Sequence, residues 1–177
     1  MKIKIEKLDI KNNLQLKSIV KWDNDTDLYH LITPVKSKDS SVEVKTVEQL
    51  TEMYEQSPEY AKGIYIILDE DRPIGSFSLQ FNPGHLLKNI PNTSWLGLTI
   101  GEKEYWGKGI ANKAIKYFEE ESRCLGANRI ELGVFEFNER AQKFYQKQGY
   151  REIGRIPNFT YWNGKLWDDI RMEKYLE

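Results

Sequence analysis

The pattern of apolar and polar residues predicts a helical, loop-rich first third of the chain. Residues 2–9 alternate apolar and charged side chains, as in a half-buried strand. A short apolar helical face follows over residues 14–20, and the polar residues 22–41 predict a loop with at most one turn of helix. Thr46 is a suitable N-cap for a second helix that extends to Tyr54.

Strand patterns dominate after residue 62. Apolar residues at four-residue spacing predict a long helix over residues 107–125, and Gly149 is a stop signal for a shorter one over residues 138–148. Gly97 is a candidate bulge within its strand. The predicted strands cover residues 64–68, 74–79, 95–100, 129–135, 150–156 and 165–174.

Together these patterns give about seven strands and four helices in one mixed sheet. The order strand, helix, strand, helix, strand after residue 95 indicates helices that cross over a partly parallel sheet. A length of 177 residues suits one domain. We therefore expect residues 1–177 to form a single domain with one hydrophobic core.

Composition excludes several classes of protein. The chain has 26 Lys and Arg against 27 Asp and Glu, a net charge of −1, which argues against nucleic acid as a partner. It has no apolar run long enough to cross a membrane and no signal-peptide pattern, so a cytoplasmic location is expected. Cys124 cannot form an internal disulfide; we interpret it as a half-buried thiol, with a catalytic nucleophile as the alternative. No His/Cys cluster has the spacing of a metal site.

The segment over residues 99–111 is the most informative for chemistry. It passes from a strand through a loop containing Gly107 and Gly109 into an amphipathic helix. Glycines permit a positive φ and close approach of a ligand, and the first amides of a helix are free to bind phosphate. The alternative interpretation is a tight turn that binds no ligand, since such a turn would need the same two glycines. The Walker spacing is absent, and Asn112 stands where a dinucleotide fingerprint needs a third glycine.

Two motifs in this half of the chain resemble those of a known family. Trp106 to Ala111 resembles the pyrophosphate loop Gln/Arg-x-x-Gly-x-Gly/Ala of the GNAT superfamily of N-acetyltransferases; Gly109 and Ala111 match, and Trp106 replaces Gln/Arg. Residues 138–150 match the family form Asn-x-x-Ala-x-x-x-Tyr-x-x-x-Gly-Phe/Tyr at every fixed position. The sequence of residues 105–111 is similar to that of the branch of ribosomal-protein, spermidine and aminoglycoside acetyltransferases. The resemblance covers roughly residues 64–176.

The resemblance implies a fold, a cosubstrate and a set of site residues. It implies an α/β (α+β) fold with a mixed, mostly antiparallel sheet, in one N-acetyltransferase domain that uses acetyl-CoA and no metal. The residues assigned to cofactor binding by the resemblance are Leu98, Thr99, Ile100, Trp106, Gly107, Lys108, Gly109, Ile110, Ala111, Asn138, Ala141 and Tyr145.

Two of these residues have implied catalytic roles. Tyr145 would protonate the departing thiolate, and a strand amide near Leu98 would bind the oxyanion of the tetrahedral intermediate. From spacing alone, packing on an amphipathic helix beside Phe144 explains Tyr145 equally well, and an N-cap explains Asn138.

No general base is assigned from the sequence. Many members of the family carry a Glu on the strand before the loop, where this chain has Trp95. Glu102 lies too close to the loop, and Glu131 could equally be a surface residue. The carboxylates at residues 23–27 are either solvated capping groups or an attraction for a cationic amine, and His85 is either an exposed loop residue or a substrate contact.

The expected function is direct transfer of an acetyl group, in a ternary complex, to a primary amine of a small molecule or a peptide N-terminus. The alternative is a catalytically inactive module that binds acetyl-CoA as a sensor, which the missing strand carboxylate favours. A homodimer is compatible with either function.

Overall fold

The backbone forms one seven-stranded sheet with helices on both faces in a computed structural model that describes residues 1–40 and 44–177. The strands are β1 (Ile3–Lys7), β2 (Ile64–Asp69), β3 (Arg72–Phe81), β4 (Thr93–Thr99), β5 (Arg129–Phe135), β6 (Arg151–Trp162) and β7 (Lys165–Tyr175). The helices in the described ranges are α1 (Asn13–Asp23), α2 (Thr26–Ile32), α3 (Val47–Gln56), α4 (Pro58–Lys62), α5 (Ile110–Cys124) and α6 (Glu139–Lys147).

The strand order is β1-β2-β3-β4-β5-β7-β6, and the sheet opens at its centre. Every neighbouring pair is antiparallel except β4 and β5, which run parallel. These two strands pair only from Thr93 and Arg129 to Leu96 and Leu132. Beyond that point β4 stays with β3 as far as Thr99 and β5 stays with β7 as far as its end. The two central strands therefore separate, and each loses a backbone partner on the side of the opening.

The two faces of the sheet are buried differently. One face and α5 enclose the larger apolar cluster, to which α5 contributes Ile110, Ala114 and Phe118 at four-residue spacing. The other face, at β2, is covered by α1, α3 and α4 through a second cluster around Trp22 and Tyr54. None of the helices over residues 1–40 and 44–177 has the length and apolar character needed to cross a membrane.

The mixed, mostly antiparallel sheet is confirmed, and the first third contains more helix than predicted. The expected loop over residues 22–41 contains the two turns of α2, because Asp25 caps the helix and Leu28 is buried beneath it. Pro58 begins the short helix α4, which the sequence patterns did not indicate. Ser41, at the end of the predicted loop, lies outside the described residues.

Two strand predictions also need correction. Gly97 is not a bulge, since β3 and β4 pair through it without a change of register; a side chain there would meet Ser78 Oγ at 2.7 Å. The irregularity lies instead between β2 and β3, where Ile67 pairs with Gly75 and Leu68 with Pro73, so that Ile74 of β3 is the extra residue. Strand β6 continues to Trp162 instead of ending near Ile156, because two register shifts let it follow β7 around a bend.

Candidate active site

A cleft of about 680 Å³ begins where β4 and β5 separate and extends toward the first helices. Its walls near the opening include Leu98, Thr99, Val134 and Tyr145. Its far walls come from α1, α3 and the segment that follows α2. The remaining residues around the opening are Gly97, Gly133, Phe135, Asn138, Ala141 and Asp169. The structure thus brings Leu98, Thr99, Asn138, Ala141 and Tyr145 of the predicted site around one cavity.

The glycine loop lies between β4 and α5, as the sequence predicts. Gly107 and Gly109 both have φ of +76°, a conformation that favours glycine, and neither has a neighbouring atom closer than 4.0 Å to where a Cβ would stand. Gly109 is the N-cap of α5, and no side chain in the described residues caps this helix. The first amides of α5 are therefore available to an anion, with the helix dipole in a favourable direction.

Tyr145 projects from α6 into the cleft wall and is buried, at 8% exposed. Its ring contacts those of Phe144 and Tyr150, at centroid distances of 5.2 and 5.7 Å. Burial raises the pKa of the Tyr145 phenol well above its ordinary value. The phenol therefore keeps its proton at neutral pH, which is the state that a proton donor needs.

Asn138 and Ala141 form the beginning of α6 beside the opening. Asn138 Oδ1 accepts a hydrogen bond from the Ala141 amide at 3.1 Å, so the side chain is an N-cap. Both residues also line the cleft. The capping interpretation is confirmed, and it leaves the Nδ2 group of Asn138 for another partner.

The sheet face opposite α5 carries a buried network of charges on β5 and β7. Arg129, fully buried, donates to Glu131 Oε2 at 2.6 Å and to Glu173 Oε2 at 2.9 Å. Glu131 also accepts from the Leu87 amide at 2.6 Å, and Glu173 accepts from Arg151 at 2.8 Å. Glu131 is therefore neither a surface residue nor a free base, because donors of the protein already occupy both of its oxygens.

Asp169 belongs to the same face but opens onto the cleft, and sequence reasoning missed it. Among the described residues one group donates to its carboxylate, Arg171 Nε to Oδ2 at 2.7 Å. A Cβ on Gly133 would lie 2.7 Å from Oδ2, so the carboxylate occupies the space above that glycine. Burial raises the pKa of the Asp169 carboxyl, although Arg171 acts in the opposite direction. No local motif marks the residue, because its neighbours come from another strand.

Glu102 is a structural link between the glycine loop and α1. It accepts hydrogen bonds from Lys21 at 2.6 Å, from Trp22 Nε1 at 2.9 Å and from Arg72 at 2.8 Å. Burial alone would raise the pKa of Glu102, but the hydrogen bonds from Lys21 and Trp22 outweigh it and the pKa is lowered. A carboxylate held in this way is a poor proton acceptor, which agrees with its exclusion as the base.

The acidic residues 23–27 act mainly within the protein. Asp25 caps α2 and, with Asp27, receives Lys103, whereas Asp23 pairs with Lys45 at 2.8 Å and lines the cleft. His85 is an exposed loop residue that also lines the cleft, with its ring edge-on to Trp95 at 4.6 Å. The prediction of a half-buried thiol was wrong. Cys124 is the last residue of α5, and it is exposed.

Comparison with known proteins decides the family. The profile of the acetyltransferase (GNAT) family matches residues 26–150, which is well over half of the chain.

The chain belongs to the GNAT acetyltransferase family.

Curated relatives in this family match only part of the chain. An uncharacterized N-acetyltransferase of Bacillus subtilis, YdgE, is 50% identical over 44 residues, 25% of this chain and 28% of the relative. A second one, YycN, is 35% identical over 48 residues, 27% of this chain and 31% of the relative. The chain therefore aligns with less than a third of the length of each relative.

Solved structures of GNAT proteins share the whole fold. An N-acetyltransferase from Staphylococcus aureus Mu50 has a TM-score of 0.76 at 17% identity, with 100% of both chains covered. Spermidine N-acetyltransferase from Vibrio cholerae, solved with CoA and spermine, has a TM-score of 0.77 at 20% identity, covering 98% of this chain and 95% of that one. A ribosomal-protein-alanine N-acetyltransferase from Brucella melitensis has a TM-score of 0.75 at 17% identity, covering 98% and 99%. These similarities establish the GNAT fold.

Trp106 is the departure from the GNAT loop motif, and the structure shows what surrounds it. Trp106 Nε1 donates to the Ile100 carbonyl at 2.8 Å, which fixes the start of the loop. The guanidinium of Arg140, on α6, lies 4.7 Å above the Trp106 ring. Arg140 thus places a positive charge beside the start of the loop, from another helix. No sequence signal marks Arg140, because it lies at a variable position of the second motif.

Proposed function

We propose that this GNAT protein transfers the acetyl group of acetyl-CoA to a primary amine, directly and within a ternary complex, with residues 1–177 acting as one domain. The observation that carries the proposal is the opening between β4 and β5, where Leu98, Thr99 and Tyr145 line one cavity that extends toward the first helices. The glycine loop follows directly after β4. A thioester in this opening can be approached by an amine from the far side of the sheet.

The cofactor end of the cleft suits acetyl-CoA for two physical reasons. The first amides of α5, at Ile110 and Ala111, can bind the pyrophosphate at the positive end of the helix, next to Gly107 and Gly109. The pantetheine arm is peptide-like, and the edge of β4 at Leu98 and Thr99 offers it backbone groups that β5 no longer pairs. Ile100 follows β4, and its carbonyl accepts from Trp106. Lys108 and Ile110 belong to the same segment, and the hydrogen bond from Trp106 to the Ile100 carbonyl holds its start in place. Asn138 and Ala141 lie on the other side of the arm.

The chemistry follows from the same positions. A β4 amide near Leu98 stabilises the oxyanion that forms when the amine attacks the carbonyl carbon. Tyr145 then gives its proton to the sulfur as the C–S bond breaks. The raised pKa of the phenol keeps this proton in place until the thiolate forms. The thiolate is a good proton acceptor because the pKa of a thiol is about 8.5, well above that of a carboxylic acid, so the free thiol is protonated at neutral pH.

The acceptor class is a primary amine of a small molecule or of a peptide N-terminus. The structural neighbours include spermidine, phosphinothricin and ribosomal-protein-alanine N-acetyltransferases, which differ in the size of their acceptors. The acceptor side of this cleft includes Asp23 and Asp169, whose negative charge attracts an ammonium group.

One observation favours a second function, a sensor that binds acetyl-CoA without turning it over. The β4 position at which many GNAT enzymes carry a carboxylate is occupied by Trp95, whose ring is covered by Arg171 at 4.7 Å. Both functions require the same cofactor end, so only turnover separates them.

Release of free thiol from acetyl-CoA tests the proposal. The acceptor panel contains spermidine, phosphinothricin, an aminoglycoside and a peptide with N-terminal alanine, and calorimetry measures acetyl-CoA binding in parallel. We expect binding together with thiol release that depends on one class of amine. Binding without release for the whole panel would favour the sensor, and absence of binding would overturn both functions.

A further inference from the structure

The acceptor end of the cleft contains two glycines that face the separation of the strands. Gly97 follows Leu96 and Gly133 follows Leu132, the last residues at which β4 and β5 still pair. Because side chains alternate along a strand, both glycines lie on the face that carries Trp95 and Glu131. The floor of the cleft at this point is therefore backbone without side chains of its own, which lets side chains of the neighbouring strands reach over it.

A polar side chain occupies the space above each glycine. A Cβ on Gly97 would lie 2.7 Å from Ser78 Oγ, and a Cβ on Gly133 would lie 2.7 and 2.9 Å from the two Asp169 oxygens. Ser78 reaches its position from β3, which pairs with β4 through this residue, and Asp169 from β7. The bare floor thus has a hydroxyl on one side and a carboxylate on the other.

The carboxylate is held but not saturated. Arg171 fixes Oδ2 through Nε, and a second nitrogen of Arg171 donates to the His85 carbonyl at 3.0 Å. The guanidinium also stacks over Trp95 and lies 3.6 Å from Glu131. Glu131 and Glu173 in the adjoining network are each bound by several donors, whereas Asp169 receives one among the described residues. Asp169 also lines the cleft, so a ligand in the cleft can reach the oxygen that Arg171 leaves free.

We propose that Asp169 is the carboxylate that receives the acceptor's ammonium group and accepts its proton, a role that rests on the acetyl transfer proposed above. Asp169 takes one proton from the ammonium, and the neutral nitrogen attacks the thioester carbon to form the C–N bond. On collapse the C–S bond breaks and the sulfur takes the Tyr145 proton. The second proton lost by the nitrogen restores the phenol, and the proton on Asp169 passes to solvent.

No base could be assigned from the sequence, because the proposed carboxylate comes from a different strand. The position on β4 is taken by Trp95, and the ring of Trp95 instead carries the guanidinium that holds Asp169. The charged groups facing Asp169 are Arg171 from its own strand and, through that guanidinium, Glu131 from β5 and His85 from the loop before β4. Burial keeps the carboxyl a better proton acceptor than an ordinary Asp.

The test compares Asp169→Asn with Asp168→Asn over a range of pH. Asp168 is the neighbouring carboxylate, and its Oδ1 accepts from the Asn158 amide instead of lining the cleft. The amine is the member of the panel with the highest kcat/KM in the parent. We expect Asp169→Asn to lower kcat/KM about 100-fold at pH 7, with acetyl-CoA binding unchanged. The deficit should shrink as the pH approaches the amine's own pKa, since solvent then supplies neutral amine.

Several results separate failure of this inference from failure of the proposed function. A deficit that is absent, or that is the same at every pH, overturns the role of Asp169 while the acetyl transfer stands. A parent that turns over no amine overturns the proposed function itself. Where Asp169→Asn does not fold, Asp169→Glu keeps the charge beside Arg171 and moves it by one methylene. We then expect a loss of about tenfold that also shrinks at high pH, and full activity at pH 7 contradicts the proposal.

Discussion

The two ends of the cleft are built from different materials. The cofactor end consists mainly of backbone: the unpaired edge of β4, the glycine loop and the first turn of α5. The acceptor end consists of side chains from α1, α3, the segment after α2 and β7, among them the charged pair Asp169 and Arg171. Backbone amides can bind any acyl-CoA, since every chain supplies them, whereas a fixed pattern of charges selects one type of acceptor.

The difference between the ends also separates binding from specificity. An apolar face of similar shape would stabilise the sheet at least as well as the charges on β5 and β7, because buried ion pairs seldom repay their desolvation. If Asp169 receives the acceptor as proposed, these charges hold Arg171, and through it Asp169, beside the opening. Changes at the cofactor end should therefore alter acetyl-CoA affinity, and changes at the acceptor end should alter turnover of the amine.

Gly109→Gln should have the largest effect. The substitution strains a residue with φ of +76° and places a side chain where the phosphates approach the α5 amides. Loss of two charge-assisted hydrogen bonds weakens acetyl-CoA binding by about 100-fold or more. Gly126→Gln, with φ of +86° at the other end of the same helix, is the control for strain alone. Equal affinities of the two variants, measured by calorimetry, would remove the glycine loop from the cofactor site.

Tyr145→Phe should reduce turnover rather than binding. We expect kcat to fall about 30-fold, less than is usual for loss of a general acid, since a thiolate leaves readily. The pKa of the phenol is raised, so the group stays protonated and the loss should be the same from pH 6 to pH 9. Tyr150→Phe is the control, because that hydroxyl donates to Glu119 at 3.4 Å, away from the cleft. An unchanged kcat, with chemistry shown to limit the rate, would leave Tyr145 a packing residue.

Glu102→Gln should weaken the contact between the glycine loop of the cofactor end and α1, which lines the acceptor end. The free energy of unfolding should fall by about 1–3 kcal/mol at pH 7, since three hydrogen bonds to a buried carboxylate lose their charge. The folded pKa is lowered, so the stabilisation is present above the ordinary value and fades as the pH falls through the folded pKa. Urea unfolding at pH 7 and at acidic pH checks this.

The matched control for this experiment is Glu104→Gln. Glu104 is exposed and pairs with Arg72 alone among the described residues, so its loss should change stability far less than the loss of the buried Glu102 carboxylate. A Glu102 variant that is no less stable than the Glu104 variant at pH 7 would show that α1 does not depend on this carboxylate.

Arg140→Gln should have a smaller effect at the cofactor end. The exposed guanidinium above Trp106 should contribute about fivefold to acetyl-CoA affinity at low salt, and less at high salt because ions screen it. Lys143→Gln is the control, since Lys143 is exposed on the same helix and pairs with Glu139. If both variants bind equally well at low salt, Arg140 does not replace the cation of the loop motif.

Cys124→Ser should have the smallest effect. Cys124 is exposed at the end of α5 and lines neither end of the cleft. We expect the free energy of unfolding to change by less than about 0.5 kcal/mol and thiol release to be unchanged. Loss of activity in this variant would support the alternative hypothesis that the Cys124 thiol is a catalytic nucleophile.

The residues of the cofactor end could be predicted from the sequence better than those of the acceptor end, for a physical reason. The glycine loop and the start of α6 are contiguous segments, so their residues stand together in the chain as they do in space. Asp169 meets Gly133 only because β5 and β7 pair in one register, which no local pattern encodes. The same limit explains α2, whose polar surface hid the buried Leu28, whereas the central strands were clear from their apolar runs. The roles of Leu98 and Tyr145 stay predictions.

Direct transfer in the cleft is tested most directly by a single turnover. The protein is loaded with less than one equivalent of isotopically labelled acetyl-CoA and mixed with the active amine of the panel, and both protein and amine are examined by mass spectrometry. We predict that the label passes to the amine at the rate of thiol release, with none on the protein at any time. Label bound to the protein before it reaches the amine, or bound acetyl-CoA that never yields acetylated amine, would contradict direct transfer.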